Sequence, residues 1–286
     1  MTGATAGFGL FAAQRLAEAG HDLVIGARSP GGLPAEIAGK VRAEALDLDS
    51  LANVRRFAEA VGSAPIDALV LNAGLQLSTP AKSADGFERT FAVNHLAHYL
   101  LLRLLADKLA PGARVILTGS GTHDPAEKTP VTPPIHANAE YLAYPDRDPQ
   151  EEKRPRQAGF RAYSTSKLCN IMTAREAALR YPALSIMSFD PGYVPHTGLA
   201  RDNPKWMATL ASYIIPLFMR SDRTSTIPRS GQFLADLATD PKYANAHGDY
   251  WSVRGPELVK IEPSELARDA TASAKLWDDS AALVGM

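Results

Sequence analysis

Short apolar runs and longer amphipathic stretches alternate along the chain. Leu23 to Ala27, Val41 to Leu46, Ala68 to Leu71, Arg114 to Thr118 and Leu184 to Phe189 have the apolar continuity of buried strands, and Tyr250 to Val253 reads as the last. Between them, Gly7 to Ala19, Leu51 to Val61, Phe87 to Leu109, Tyr163 to Tyr181 and Ser230 to Ala238 repeat apolar positions with a helical period. Strands that alternate with helices predict an α/β fold, a doubly wound parallel sheet with helices on both faces. A ligand of such a sheet sits beyond the carboxyl ends of its strands.

Two stretches break the rhythm. His123 to Arg161 is rich in Pro, Asp, Glu, Lys and Arg and follows neither period, and its run from Asp146 to Pro155 predicts a solvated excursion. It reads as a surface insertion or, because it joins two segments that carry chemistry, as a flap over the site. The second stretch is the start. Thr2-Gly3-Ala4-Thr5-Ala6-Gly7-Phe8-Gly9 has the form of a turn between a strand and a helix, yet only Met1 precedes it. The first strand is therefore expected to be truncated. Either the true start lies upstream, or a central strand is missing and its neighbours' backbone groups lose their partners.

A length of 286 residues suits one large domain, 1–286, rather than two. The formal net charge of -1 supplies no basic field to hold nucleic acid or an anionic membrane. No stretch reaches the roughly 18 apolar residues that span a bilayer. A single cysteine, Cys169, rules out an internal disulfide, and no basic-then-apolar leader is visible, so the expected compartment is the reducing cytoplasm.

The glycine-rich turn is the first candidate for chemistry. Gly3 permits a tight turn, Gly7 lets backbone approach a pyrophosphate, and Gly9 allows close packing of the helix that follows. With Thr5, Ala6 and Phe8 they place that helix's free N–H groups and positive dipole end toward phosphate. The next strand ends in Arg28, where enzymes that prefer NAD place a carboxylate. A planar cation there suits a 2′-phosphate, so NADP(H) is expected over NAD(H). Asp47 and Leu48 end another strand, where the Asp can accept from an adenine amino group. Asn72, Ala73 and Gly74 end a third, either beside the cofactor ribose or as a brace between strands.

Tyr163-Ser164-Thr165-Ser166-Lys167 places a phenol and an ammonium on one helical face. A nearby ammonium favours the phenolate and lowers the phenol's pKa, fitting Tyr163 for proton exchange with a carbonyl or alcohol oxygen. A strand ending in Thr118-Gly119-Ser120 precedes it. In this order TGATAGFG, LNAG, VNHLAHYLL, VILTGS, YSTSK and FDPG resemble the short-chain dehydrogenase/reductase family from Thr2 to Gly192. The resemblance implies a Rossmann-type sheet and a catalytic set of Asn94, Ser120, Tyr163 and Lys167. In it Tyr163 is the acid/base, Lys167 binds the nicotinamide ribose and tunes the phenol, Ser120 orients the substrate oxygen, and Asn94 holds a relay water. It extends the cofactor contacts to Pro191, Gly192, Val194 and either His196 or Thr197.

Within the family, Asn94-His95-Leu96-Ala97-His98, Lys167-Leu168-Cys169-Asn170 and Pro191-Gly192 leading to His196-Thr197-Gly198-Leu199 are similar to the branch of retinol dehydrogenase-like enzymes and protochlorophyllide reductase. The expected reaction is carbonyl/alcohol interconversion by hydride transfer. Light-dependent reduction of a tetrapyrrole double bond and NADP(H) sensing without turnover stand as alternatives. The 199–223 segment, with Trp206, Met207, Leu210, Tyr213, Ile214, Leu217, Phe218 and Met219, reads as a wall for a bulky hydrophobic substrate or as core or dimer-contact surface. Cys169 reads as a pocket residue or a small buried hydrophobe. His95 and His98 lie three apart without converging carboxylates, so no metal is expected. Phe87 to Leu109 and Tyr163 to Tyr181 pair subunits in many relatives, which implies a homodimer or homotetramer by analogy.

Overall fold

A computed structural model describes residues 1–195 and 221–286. His196, Thr197 and most of the 199–223 segment lie outside the described residues.

The strands are β1 (Val24–Ala27), β2 (Arg42–Ala45), β3 (Ile66–Leu71), β4 (Leu109–Thr118), β5 (Ser185–Asp190), β6 (Asp249–Arg254) and β7 (Glu257–Ile261). β1 and β2 pair in parallel, and a second sheet runs β3-β4-β5-β6-β7, parallel except for the antiparallel β6–β7 edge. Met1 and Thr2 stand between the two sheets. Gly26 N donates to Met1 O at 3.0 Å, and Thr2 N donates to Val70 O at 2.9 Å. A full strand there would bridge β1 to β3 along its length, and the described chain places two residues in that position. β7 was not expected from its sequence, because Glu257 to Ile261 alternates over too short a span to stand out from a turn.

The helices are α1 (Gly7–Glu18), α2 (Leu51–Ala60), α3 (Arg89–Phe91), α4 (Ala97–Leu105), α5 (Ala139–Ala143), α6 (Pro155–Arg180), α7 (Ile227–Thr239), α8 (Glu265–Arg268) and α9 (Ala270–Val284). On one face of the sheet α1 and α7 bury Ala12, Ala13, Leu16, Leu234 and Leu237 against Ile25, Ile116, Met187 and Phe189. On the other, α4, α6 and α9 bury Leu100, Leu101, Leu168, Ile171, Met172, Leu276 and Trp277 against Val115, Leu117 and Ile186. α9 escaped the periodicity reading because Ser273 and Ser280 interrupt the apolar residues of its inner face. Its ends were nonetheless signalled: Asp269 accepts from Ala272 N at 2.9 Å, and Gly285 closes the helix in the left-handed conformation at φ 71°.

The expected helix from Phe87 to Leu109 is interrupted. Ala92 to Leu96 form a π-helical turn between α3 and α4, and Leu109 already belongs to β4. Such turns insert one residue into the helical repeat and recur at functional sites. α6 begins eight residues earlier than the apolar period implied, with Pro155 in its first turn, where the missing N–H costs nothing. Every residue from Tyr163 to Ala174 is buried, as is every residue from Ala97 to Leu102. The middle of each helix is therefore covered within this chain. α9 covers them with Trp277, whose ring meets Tyr99 edge-on at 4.9 Å between centroids.

The run from Asp146 to Pro155 has no buried residue, as its composition predicts, while the 123–161 stretch around it is anchored to the body of the protein. Ser164 Oγ on α6 donates to Thr132 O at 2.6 Å, His136 pairs with Asp148 at 2.8 Å, and Arg254 donates to Glu127 at 2.9 Å. Several of its charges are paired with one another and with the body of the protein, which composition alone does not reveal.

Candidate active site

The strand ends and the glycine turn meet at one place. Gly3 and Gly7 adopt positive φ, at 67° and 58°, a region that a side chain strains. Gly9 packs so closely that a Cβ there would lie 2.0 Å from Gly3 O and 2.5 Å from Asn72 Nδ2. Ala6 precedes α1 without any side-chain cap, so the first N–H groups of the helix keep no partner from the cap. The turn is thus shaped for an anionic group against the helix end and fits a pyrophosphate.

Asn72 is a brace. Its Nδ2 donates to Gly3 O at 3.2 Å, its Oδ1 accepts from Thr118 Oγ1 at 3.0 Å, and its main-chain N–H donates to Thr2 Oγ1 at 2.9 Å. Ala73 N also donates to Thr2 Oγ1, at 3.0 Å. Thr2, which the sequence reading did not single out, joins the glycine turn to the Asn-Ala-Gly strand end. Arg28 is exposed just beyond β1 and has no partner among the described residues. Asp47 is exposed and accepts from Asp49 N at 3.1 Å, while Leu48 is buried. Gly192 N donates to Asp190 Oδ1 at 3.0 Å, and Val194 is buried.

The four expected catalytic residues surround the same strand ends. Tyr163 stands beside Ser120, whose hydroxyl favours the phenolate form of the tyrosine. Lys167 Nζ lies 5.7 Å from the Tyr163 ring centroid and donates to Thr118 O at 3.2 Å. A Cβ on Gly74 would lie 3.4 Å from Lys167 Nζ and 3.5 Å from Asn94 Oδ1, so ammonium and amide border one spot at the end of β3. Asn94 sits in the π turn, fully buried. Its Oδ1 accepts from Leu75 N at 2.8 Å, and its Nδ2 donates to Leu75 O at 2.9 Å and Ser166 Oγ at 3.0 Å.

The electrostatics depart from expectation at Tyr163. Burial pushes its phenol above the ordinary value near 10, Asp190 adds in the same direction, and the Ser120 hydroxyl opposes both. Lys167 was expected to lower it. Burial sets the direction instead, and it lowers Lys167 itself to about 8, with Asp190 pulling the other way. Asp190, the missed member of this group, is buried and accepts from Ser252 Oγ at 2.8 Å. A carboxylate closing the apolar run Ser185 to Phe189 was its signal in the sequence. Cys169 is fully buried in the apolar cluster, and burial raises its thiol, so it behaves as a small hydrophobe. Among the described residues no group of three or more His, Cys, Asp or Glu side chains converges to hold a metal.

Residues 1–129 match the short chain dehydrogenase family. Protochlorophyllide reductase A of rice (Oryza sativa subsp. japonica) is 32% identical over 314 residues, spanning 100% of this chain and 80% of the rice protein. The chain belongs to the short-chain dehydrogenase family. A Streptomyces sp. (strain C5) protein bearing the name daunorubicin C-13 ketoreductase is 35% identical over 297 residues, covering 100% of this chain and 91% of its own. Among solved structures, an uncharacterized protein of Mycobacterium paratuberculosis superposes with a TM-score of 0.71 at 27% identity, covering 100% of this chain and 92% of that one. This short-chain dehydrogenase is thus an oxidoreductase by family, with a Rossmann fold. Among its described residues no helix is long and apolar enough to cross a membrane.

Proposed function

We propose that this short-chain dehydrogenase interconverts a carbonyl and an alcohol on a bulky hydrophobic substrate, using NADP(H), with Tyr163 as the acid/base. The observation that carries this reading is the buried Tyr163 phenol set beside Ser120 and Lys167, at strand ends that abut an uncapped, glycine-lined helix start. The first N–H groups of α1 would hold the pyrophosphate, Lys167 the nicotinamide ribose, and Arg28 the 2′-phosphate. When bound, the nicotinamide supplies or accepts the hydride. Ser120 and Tyr163 direct their hydroxyls to one substrate oxygen, and Tyr163 gives or takes its proton. A phenol kept protonated by burial is an acid at neutral pH, which favours the direction of reduction.

NADPH oxidation against a panel of bulky aldehydes and ketones tests the reading; no turnover with any of them would end it. Two further results are expected in the same assay. Arg28→Ala should erase the preference for NADPH over NADH, a loss of roughly ten- to a hundredfold in kcat/KM for NADPH, the scale of a charged hydrogen bond. Unchanged preference would remove Arg28 from the site. Turnover should also decline as pH rises past about 8, where Lys167 sheds its proton and its charge no longer holds the ribose. A profile flat to pH 10 would contradict that role.

The whole-length similarity to protochlorophyllide reductase favours one second reading, reduction of a ring double bond driven by light. Protochlorophyllide consumed only under illumination, with ketones left untouched in the dark, would select it.

A further inference from the structure

Two buried histidines hold the main-chain carbonyls of two residues in the proposed catalytic set, and their hydrogen bonds leave each ring a single protonation pattern. Thr2 Oγ1 accepts from Asn72 N at 2.9 Å and from Ala73 N at 3.0 Å. Both are obligatory donors, so the hydroxyl's lone pairs are spent and its own hydrogen must go elsewhere. His98 Nε2 lies 3.0 Å away and must accept it. The proton of a neutral ring is then on Nδ1, which lies 3.0 Å from Asn94 O and donates to it. His123 repeats the logic. Ser264 N donates to His123 Nε2 at 3.1 Å, so Nδ1 carries the hydrogen and donates to Ser120 O at 2.6 Å.

We propose that His98 and His123 are positioning residues, neutral Nδ1–H rings that clamp the carbonyls of Asn94 and Ser120 and so hold both residues at the strand ends. The assignment rests on the catalytic reading of Asn94 and Ser120 given above. Burial keeps both rings from protonating, His98 at about 3 and His123 below its ordinary value. The His98 clamp also reaches the glycine turn through Thr2, so one ring ties the phosphate site to the π turn. The side-chain amide of Asn94 is separately engaged by Leu75 and Ser166. The His123 clamp draws its far end from the start of α8, so the C-terminal part of the chain braces the catalytic serine. Nothing in the sequence distinguishes these two rings from ordinary core histidines, because the bond partners lie 96 and 141 residues away.

Asparagine and glutamine separate the two ends of each ring, since an Asn amide nitrogen can take the place of Nδ1 and a Gln amide oxygen that of Nε2. His123→Asn keeps a donor for Ser120 O and should retain kcat within about threefold, whereas His123→Gln should lose about tenfold in kcat with the NADPH Kd unchanged. His98→Gln should likewise lower kcat about tenfold at unchanged Kd. His98→Asn frees Thr2 and should instead raise the Kd for NADPH about threefold to tenfold, read by nicotinamide fluorescence. Equal losses in the Asn and Gln members of a pair, in step with Tm, would reduce the clamps to general packing and overturn the proposal. A long-range 1H–15N spectrum of the intact protein at pH 7 supplies a readout without substrate: both rings should show the neutral Nδ1–H pattern. An Nε2–H or doubly protonated ring at either position refutes that clamp even if carbonyl turnover is found. Absence of carbonyl turnover with the predicted spectrum and NADPH affinities would sink the carbonyl reading and leave the clamps standing.

Discussion

Tyr163→Phe is expected to lower kcat for carbonyl reduction by about a hundredfold to ten-thousandfold, the range that a positioned acid supplies, with the Kd for NADPH unchanged. Tyr163 is buried, and the phenyl ring fills the same space, so the fold loses one hydroxyl rather than a packed side chain. The hydride step remains geometrically possible in the variant. What it lacks is a proton for the oxygen as negative charge gathers there. Single-turnover measurement at saturating NADPH isolates that step from binding and product release. A variant that reduces ketones as fast as the parent would remove Tyr163 from the mechanism, whatever the family resemblance.

The second large effect is acid instability. His95 and His98 are fully buried, and burial holds them at about 4 and about 3 against an ordinary value of 6.5. As pH falls through 6.5 the unfolded chain takes up protons on these rings while the folded chain refuses them, so acid favours the unfolded state. By pH 4 the two together should withdraw on the order of 5 kcal/mol of stability, a large share of the 5–15 kcal/mol typical of a domain. Glu88 acts in the opposite sense. Its carboxyl is raised to about 6 by burial, so acidification below that value relieves a buried charge and returns on the order of 2 kcal/mol. The net result is a loss. Denaturant midpoints measured from pH 7 down to pH 4 should fall steadily, and His98→Asn should flatten the decline. A midpoint constant across that range would show that these rings are not held neutral.

The glycine turn and the Tyr163–Lys167 pair were legible because each is encoded locally. Positive φ at Gly3 and Gly7 is a property of residues without a Cβ, and a phenol and an ammonium one helical turn apart share a face in any α-helix. The alternation of strands and helices was legible for the same reason, since burial on one face writes its own period into the chain. α6 shows where that method stops. From Tyr163 to Ala174 it is buried all round, so Ser164, Thr165, Ser166, Lys167 and Asn170 face protein rather than water and no amphipathic stripe marks its start.

The short-chain dehydrogenase family, the parallel sheet and the candidate residues Tyr163, Lys167, Ser120 and Asn94 were all determined by the amino-acid sequence alone. The tertiary structure decided how those residues behave. Burial raises the Tyr163 phenol where spacing predicted a lowering. The π turn presents the Asn94 carbonyl to His98, Asp190 stands behind the phenol and the ammonium, and His123 grips Ser120. Each of these depends on groups far apart in the chain, and desolvation and hydrogen-bond partnership are properties of the assembled interior that no local period records.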